Sequence, residues 1–296
     1  IAAHHHGRIL GTECTANQIA AANNICYWNP DMYGILPDAP GAQEYYDSLM
    51  NLYAEWGVDF IKCDDICRLD ADTAKEEIAM LHRAIAKCGR DIVLSLSPGP
   101  ALPELAEYYH ENANMWRITD DFWDNWKSLR DMFDRCRNWQ DSVRDGGYPD
   151  CDMLPLGRIG KGFGDERQTN FTKVEQRTMM TLWSIFRSPM MLGAELPELD
   201  DWTLSLITNQ RVLYLLENSS HAKEVFRNDK MIVWKAVGRY DDKKYTAIFN
   251  IADTCIAVTP SQYADGVSGY NLWTDEKIDF TEEQTIDSHD CFLVEE

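Results

Sequence analysis

Residues 55–65, EWGVDFIKCDD, decide the fold because they hold the end of a helix, a short strand and two acids in succession. The run VDFIKCDD (58–65) is rich in β-forming residues. It follows a helical pattern over 42–56, which we expect to end at Gly57. A strand that follows a helix this closely is typical of βαβ units, so the segment predicts a parallel sheet.

The same alternation of helix and strand continues to about residue 217. Further helices are predicted over 72–88, 102–112, 122–142, 172–187 and 201–217, and further strands over 91–97, 114–121, 151–157 and 189–193. The fold class is therefore α/β, with about five strand–helix units. The chain starts at Ile1 in a loop-like stretch, so we expect the earliest strands of the fold to be missing.

The pattern changes after about residue 220. KMIVWKAVG (230–238) and KYTAIFNIA (244–252) alternate on either side of the polar run 241–244, which predicts a hairpin. We therefore expect two domains, a larger α/β domain over 1–220 and a small antiparallel all-β domain over 221–296.

Composition narrows the class of partner. The 296 residues carry a formal net charge of −21, which repels nucleic acid and anionic membranes but does not obstruct a neutral ligand. The nine cysteines form no CxxC pair, so neither a zinc site nor a disulfide framework is indicated. Adjacent side chains of an extended segment point to opposite faces, so His4–His6 suit a metal chelate poorly. We expect these residues to be a polar loop or a tag remnant. No metal and no cofactor are expected.

Acids and bases stand at successive strand ends. Lys62 and Asp64 share one face of the first strand, Arg117 and Asp121 share a face two units later, and Asp152 follows in the next unit. Carboxyl ends of parallel strands meet at one edge of a sheet, so these side chains predict an active site. Two alternatives remain open: each acid caps the following helix, or Lys62 and Asp64 form a buried structural salt bridge.

Four segments in order resemble glycoside hydrolase family 27, the α-galactosidase (melibiase) family. EWGVDFIKCDD (55–65) resembles the strand that carries the nucleophile, and WRITDDFWDNW (116–126) resembles the segment with the acid/base. YPDCDMLPLG (148–157) and RTMMTLWSIFRSPMMLGAEL (177–196) resemble its later turn, helix and strand. The likeness is greatest to bacterial members provisionally named α-N-acetylgalactosaminidases, which share SLSPGPA (95–101).

The resemblance implies a fold and a set of roles. The fold is a partial (β/α)8 TIM barrel, about five of eight units, followed by the β domain. Asp64 matches the nucleophile and Asp121 the general acid/base of a retaining mechanism. Lys62, Arg117 and Asp152 match residues that hydrogen-bond the sugar. Because Asp121 must begin protonated, we expect it to be buried or to lie beside other carboxylates.

The same resemblance leaves some positions open. Galactose-specific members commonly have Glu at the position of Ser97, whereas those accepting N-acetylgalactosamine have Ser, so Ser97 is expected to face the substituent at C2. The surrounding Pro98, Gly99 and Pro100 differ from both patterns. A Cys26–Cys67 disulfide is implied by analogy and stays open.

The predicted function is removal of terminal α-linked galactose-type sugars from a small carbohydrate or glycoconjugate. One alternative is the same mechanism on α-N-acetylgalactosamine or β-L-arabinopyranose. Others are a non-catalytic sugar-binding relative and a barrel metallohydrolase. The intact pair Asp64 and Asp121 favours an enzyme, since a lapsed one would have no reason to keep both. Oligomeric state and cellular location are not predicted.

Overall fold

The computed structural model describes residues 2–3, 7–67, 74–162 and 164–296. It contains two compact units. The first is Ile1–Asp121 with Arg144–Asp150, and the second is Phe122–Val143 with Cys151–Glu296. The boundary expected between residues 220 and 221 divides an α/β region from an all-β region, and it stays a prediction. His4–His6 lie outside the described residues.

The first unit contains a small antiparallel sheet and a parallel sheet with its helices. Its elements in chain order are β1 (Ala2–Ala3), α1 (Ala16–Ile19), β2 (Ala20–Ile25), β3 (Met32–Ile35), α2 (Ala42–Glu55), β4 (Phe60–Cys63), α3 (Ala74–Lys87), β5 (Val93–Leu96), a short 3-10 helix (Pro103–Leu105), α4 (Ala106–Asn112), β6 (Met115–Arg117) and β7 (Tyr148–Asp150).

The parallel sheet has the order β4-β5-β6-β7 within the described chain. Every neighbouring pair is parallel, as the helix–strand alternation predicts. Lys62 pairs with Ser95, and Arg117 pairs with Asp150. The sheet therefore aligns the strand ends on which the predicted site depends.

The last two predicted strands differ from the structure. The fourth parallel strand is Tyr148–Asp150, so the strand predicted at 151–157 is wrong in position. Asp152 takes a left-handed backbone with φ of 75°, which interrupts an extended strand there. The strand predicted over 189–193 is reduced, in the described part of the chain, to one isolated parallel bridge between Leu192 and Leu154.

Helices α2 and α3 pack against each other and share a buried polar contact. Glu77 of α3 is buried and accepts hydrogen bonds from the Tyr46 hydroxyl at 2.7 Å and the Ile35 amide at 2.9 Å. Burial and the Glu77 carboxylate raise the pKa of Tyr46 well above its ordinary value. Gly57 follows α2 with a φ of 79°, which confirms the predicted helix end.

The second unit contains the remaining helices and the C-terminal sheets. Its elements are α5 (Trp126–Trp139), β8 (Arg158–Ile159), β9 (Arg167–Gln168), α6 (Lys173–Phe186), a 3-10 helix (Leu196–Glu198), α7 (Asp201–Ile207), α8 (Gln210–Asn218), β10 (Ser219–Arg227), β11 (Met231–Gly238), β12 (Lys244–Asn250), β13 (Ile256–Val258), a 3-10 helix (Pro260–Gln262), β14 (Ser268–Asn271), β15 (Lys277–Asp279), β16 (Gln284–Ile286) and β17 (Cys291–Glu295).

The antiparallel C-terminal structure is confirmed. A sheet of order β10-β11-β12-β17-β14-β15 contains the predicted hairpin, in which β11 pairs with β12. Alternate residues of these strands pack with apolar residues of neighbouring segments into one hydrophobic core. The core consists of Met231, Val233, Ile248, Val258, Ala264, Phe280, Ile286, Phe292 and Val294.

Local capping explains the helix boundaries of this unit. The predicted capping box of Thr172 and Glu175 is present at the start of α6. The single helix predicted over 201–217 is instead two helices, because the Asn209 side chain accepts from the amides of Arg211 and Val212 and starts α8. Within the described chain, no helix combines the length and apolarity needed to cross a membrane.

Candidate active site

The three predicted site acids are not helix caps. Asp64 follows β4, whereas α3 begins at Ala74. Asn125, not Asp121, caps α5, and α6 begins after Thr172, well beyond Asp152. The capping interpretation is therefore wrong for all three, and their positions need another explanation.

Asp64 lies at the carboxyl end of β4 with an exposed side chain. Its Oδ1 accepts a hydrogen bond of 2.8 Å from the Ser97 hydroxyl at the end of β5. Lys62 is also exposed, and no ion pair joins it to Asp64 among the residues with described side chains. The alternative of a buried Lys62–Asp64 salt bridge is therefore wrong.

Ser97 is held firmly against the segment that carries Asp64. Its amide donates to the Cys63 carbonyl at 2.9 Å, and its carbonyl accepts from the Ile66 amide at 3.2 Å. The residue has no solvent exposure. Its hydroxyl is thus directed at Asp64, while the expectation that it faces a C2 substituent stays a prediction.

Arg117 and Asp121 form the second pair. The Arg117 guanidinium donates to Asp121 Oδ1 at 2.9 Å. The arginine side chain is 3% exposed and the aspartate side chain 71% exposed. Of the two alternatives expected for Asp121, burial is wrong, because the loop after β6 carries it out toward solvent while β6 keeps Arg117 inside. A position beside other carboxylates stays a prediction.

The loop 97–101 connects these two pairs. Beyond Ser97, the Gly99 amide donates to the Thr119 carbonyl at 2.8 Å, and the Ala101 amide donates to the Arg117 carbonyl at 2.9 Å. A side-chain Cβ at Gly99 would overlap the carbonyl oxygens of both Arg117 and Thr119. The loop therefore fits closely against the strand end that leads to Asp121, and glycine allows that approach.

The strand register places the two pairs near each other. Extending the β4–β5 and β5–β6 pairing by one residue sets Asp64, Ser97 and Arg117 side by side. Neighbouring strands are about 4.8 Å apart, so the backbones at Asp64 and Arg117 are about 10 Å apart. We expect the carboxyl groups of Asp64 and Asp121 to be about 5–7 Å apart, near the spacing of a retaining pair, and this separation stays a prediction.

Asp152 belongs to the second unit and is buried there. Its Oδ2 accepts from the Phe122 amide at 2.8 Å, and its carbonyl accepts from the Trp183 indole at 3.2 Å. The carboxylate therefore orders the backbone just after Asp121 in the sequence. Its predicted contact with a sugar hydroxyl stays a prediction.

Sequence reasoning missed an ion pair with a buried acid in the second unit. Asp124 is buried and accepts from the two terminal guanidinium nitrogens of Arg167 and from the Asn170 amide, the last at 2.5 Å. Burial alone would raise the pKa of Asp124, but the Arg167 guanidinium and the Asn170 amide hold it below its ordinary value. An acid beside the predicted N-terminus of a helix was the available signal, but its partner Arg167 lies in the short strand β9, 43 residues further along the chain.

The implied Cys26–Cys67 disulfide is absent, since both thiols are free. Cys26 instead donates to Asp65 at 3.3 Å, and buried Cys67 donates to the Arg117 carbonyl at 3.7 Å. Burial raises the pKa of Cys67 to about 12, so this thiol stays protonated and serves as packing.

The described residues contain no cluster of three His, Cys, Asp or Glu side chains that could hold a metal ion.

A cavity in the first unit lies away from the predicted acids. It has a volume of about 600 Å³ and is lined by residues such as Ile92, Val93, Ala113 and Asn114. These residues stand at the amino ends of β5 and β6, the opposite edge from Asp64 and Arg117.

Comparison with known proteins gives a consistent family. The family model Melibiase_2, described as alpha galactosidase A, matches residues 34–218. The chain resembles the solved structure of a GH27 β-L-arabinopyranosidase from Geobacillus stearothermophilus, with 47% identity and a TM-score of 0.92. That match covers 99% of this chain and 70% of the other.

Two further relatives carry other glycone names. A Bacillus halodurans structure, provisionally named an alpha-N-acetylgalactosaminidase, is 44% identical with a TM-score of 0.84, and the match covers 98% of this chain and 70% of that one. The alpha-galactosidase of Cyamopsis tetragonoloba is 28% identical over 265 residues, 85% of this chain and 61% of that protein. The chain spans from 47% to 61% of the length of three plant alpha-galactosidases that it matches.

Proposed function

Because the chain belongs to the alpha galactosidase A (Melibiase_2) family, we propose that it hydrolyses terminal α-galactosyl-type residues with retention of configuration. The observation that carries the proposal is a pair of exposed carboxylates, Asp64 and Asp121, at the ends of strands joined through β5. Each is bonded to a buried polar side chain, Ser97 for Asp64 and Arg117 for Asp121. Buried supports of this kind hold reacting groups in place.

In the proposed mechanism Asp64 is the nucleophile. One of its carboxylate oxygens forms a bond to the anomeric carbon while the bond to the leaving oxygen breaks, and Asp121 gives that oxygen its proton. Asp121 then takes a proton from water, and the resulting hydroxide attacks the anomeric carbon and releases Asp64. Two inversions give net retention, and neither step needs a cofactor.

Arg117 connects substrate binding to the position of Asp121. Its guanidinium donates to Asp121 Oδ1 at 2.9 Å and so holds that carboxyl group in place. The resemblance also assigns Arg117 to a sugar hydroxyl. A sugar bound by this guanidinium would therefore lie beside the carboxyl group that exchanges the proton.

The glycone is the finer part of the proposal. Galactose, N-acetylgalactosamine and β-L-arabinopyranose share an axial hydroxyl in the same arrangement, and the relatives named above cover all three. Lys62 is exposed at the end of β4, where its ammonium can donate to ring hydroxyls. Lys62 is the further sugar contact we propose.

The test uses nitrophenyl glycosides of these three sugars, with proton NMR of the first anomer released. Release of the α-anomer from an α-galactoside supports retention, and release of the β-anomer contradicts it. Binding of the free sugars without turnover of any glycoside would favour a non-catalytic sugar-binding protein. Loss of turnover in chelator would favour a metallohydrolase.

A further inference from the structure

We propose that Ser97 is a positioning residue that fixes the nucleophile Asp64 so that one defined carboxylate oxygen attacks. This inference rests on the proposed function, in which Asp64 forms the bond to the anomeric carbon. It assigns Ser97 a role toward the protein's own carboxylate, which differs from contact with the sugar at C2.

The two oxygens of Asp64 have different surroundings. Oδ1 accepts the Ser97 hydroxyl at 2.8 Å. Among the residues with described side chains, no donor reaches Oδ2, and the Asp64 side chain is exposed. One oxygen is therefore fixed by the protein, and the other is open to a ligand.

Ser97 has little freedom to move away from this contact. Its backbone bonds Cys63 and Ile66, the residues on either side of the Asp64–Asp65 dipeptide. Two residues later, the Gly99 amide donates to the carbonyl of Thr119, which lies just beyond the end of β6. The complete burial of Ser97 leaves no solvent to compete for its hydroxyl. The donor is thus held by the same backbone that holds the acceptor.

The chemistry uses both oxygens. When Oδ2 bonds the anomeric carbon, Oδ1 becomes the carbonyl oxygen of the glycosyl ester, and it can still accept from Ser97. The bond therefore persists from the free enzyme to the intermediate, and it limits rotation of the carboxylate about its χ2 angle. Rotation is the motion that would take Oδ2 off the line of attack.

Positioning and glycone selection make different kinetic predictions. Loss of a positioning bond should reduce kcat to a similar degree on every glycone, with KM little changed, since the bond does not touch the sugar. Loss of a C2 contact should change the ratio between substrates with different C2 substituents.

The experiment compares Ser97→Ala, Ser97→Cys and Ser184→Ala on nitrophenyl α-galactoside and α-N-acetylgalactosaminide. Ser184 is the matched control, because it is a fully buried serine whose hydroxyl bonds its own helix at the Met180 carbonyl. We expect Ser97→Ala to lower kcat about 10- to 100-fold on every substrate that the parent turns over, with KM within about twofold. Ser97→Cys should be intermediate because a thiol is a weak donor. Unchanged kcat, or a loss confined to one substrate or to KM, would overturn the proposal.

A crystal structure of Ser97→Ala gives a readout that does not depend on turnover. We expect the Asp64 carboxylate to occupy a rotated or divided position, whereas an unmoved, well-ordered carboxylate would overturn the proposal. If the parent protein hydrolyses none of the glycosides, the proposed function fails by itself. The position of Asp64 in this variant still decides whether Ser97 orients it.

Discussion

Substitution of Gly99 by alanine should disturb both halves of the candidate site, because the loop 97–101 lies between them. A Cβ at this position would overlap the carbonyl oxygens of Arg117 and Thr119, which are backbone atoms and cannot turn aside. Relief of that overlap must move either the loop or the end of β6, and movement of either would lengthen the 2.8 Å bond from Gly99 to Thr119.

The magnitude follows from these two effects. Overpacking of a well-packed site costs about 1–3 kcal/mol. Loss of one hydrogen bond adds about 1 kcal/mol. We therefore expect Gly99→Ala to lower the free energy of unfolding by about 2–4 kcal/mol, a large part of the roughly 5–15 kcal/mol typical of folded proteins. Displacement of the strand end that leads to Asp121 should also reduce kcat.

Urea unfolding followed by tryptophan fluorescence measures the stability change, with Gly266→Ala as the control. A Cβ at Gly266 would meet a carboxylate oxygen of Glu296 at 3.3 Å, where a small shift of a side chain relieves the contact, and its backbone φ is not left-handed. That variant should stay within about 0.5 kcal/mol of the parent. Equal stability and equal turnover of the Gly99 variant and the parent would refute the claim that the loop fits closely against β6.

Three further predictions concern named acids. Asp64→Ala should abolish turnover of an α-galactoside, and added azide should restore part of it by forming a β-glycosyl azide; an α-azide, or no rescue, would count against Asp64 as nucleophile. Asp121→Ala should slow substrates with poor leaving groups far more than nitrophenyl glycosides, and equal losses on both would void its role as acid. Asp124→Asn should lower the free energy of unfolding by about 2–4 kcal/mol at pH 7, because it leaves Arg167 without its buried partner. Since the folded pKa of Asp124 lies below its ordinary value, this stabilisation is full above about pH 4 and is lost as pH falls through the folded pKa. The difference in urea stability between parent and variant should therefore shrink as the pH is lowered below about 4.

The sequence was enough to locate most of the longer helices and the first three parallel strands, although the helix predicted over 201–217 is two helices. Their apolar periodicity and glycine stops arise from local conformational preference, as at Gly57, and local preference is readable in a single sequence. The fourth strand was misplaced because the apolar run after Asp150 looks like a strand, while the left-handed backbone of Asp152 is set by tertiary contacts.

The candidate site was likewise predictable in part: its residues could be identified from the sequence, but their exposure and contacts could not. The identities of Asp64, Asp121, Lys62, Arg117 and Asp152 came from strand ends and motif order, which are properties of the sequence. The exposure of Asp121 was not predictable, since nothing in WRITDDFWDNW shows which acids leave the core. The bond from Ser97 to Asp64 depends on the register of β4 against β5, and a single sequence does not state that register.

The most direct test of the account is to identify the residue that forms the covalent intermediate. The protein would be incubated with an activated 2-deoxy-2,2-difluoro-α-galactoside, whose electron-withdrawing fluorines slow hydrolysis of the glycosyl ester, and peptides would be mapped by mass spectrometry. The account predicts a single glycosylated peptide containing Asp64, with no label on the Asp64→Ala variant. Label on another carboxylate of the parent, or turnover without any covalent adduct, would contradict it.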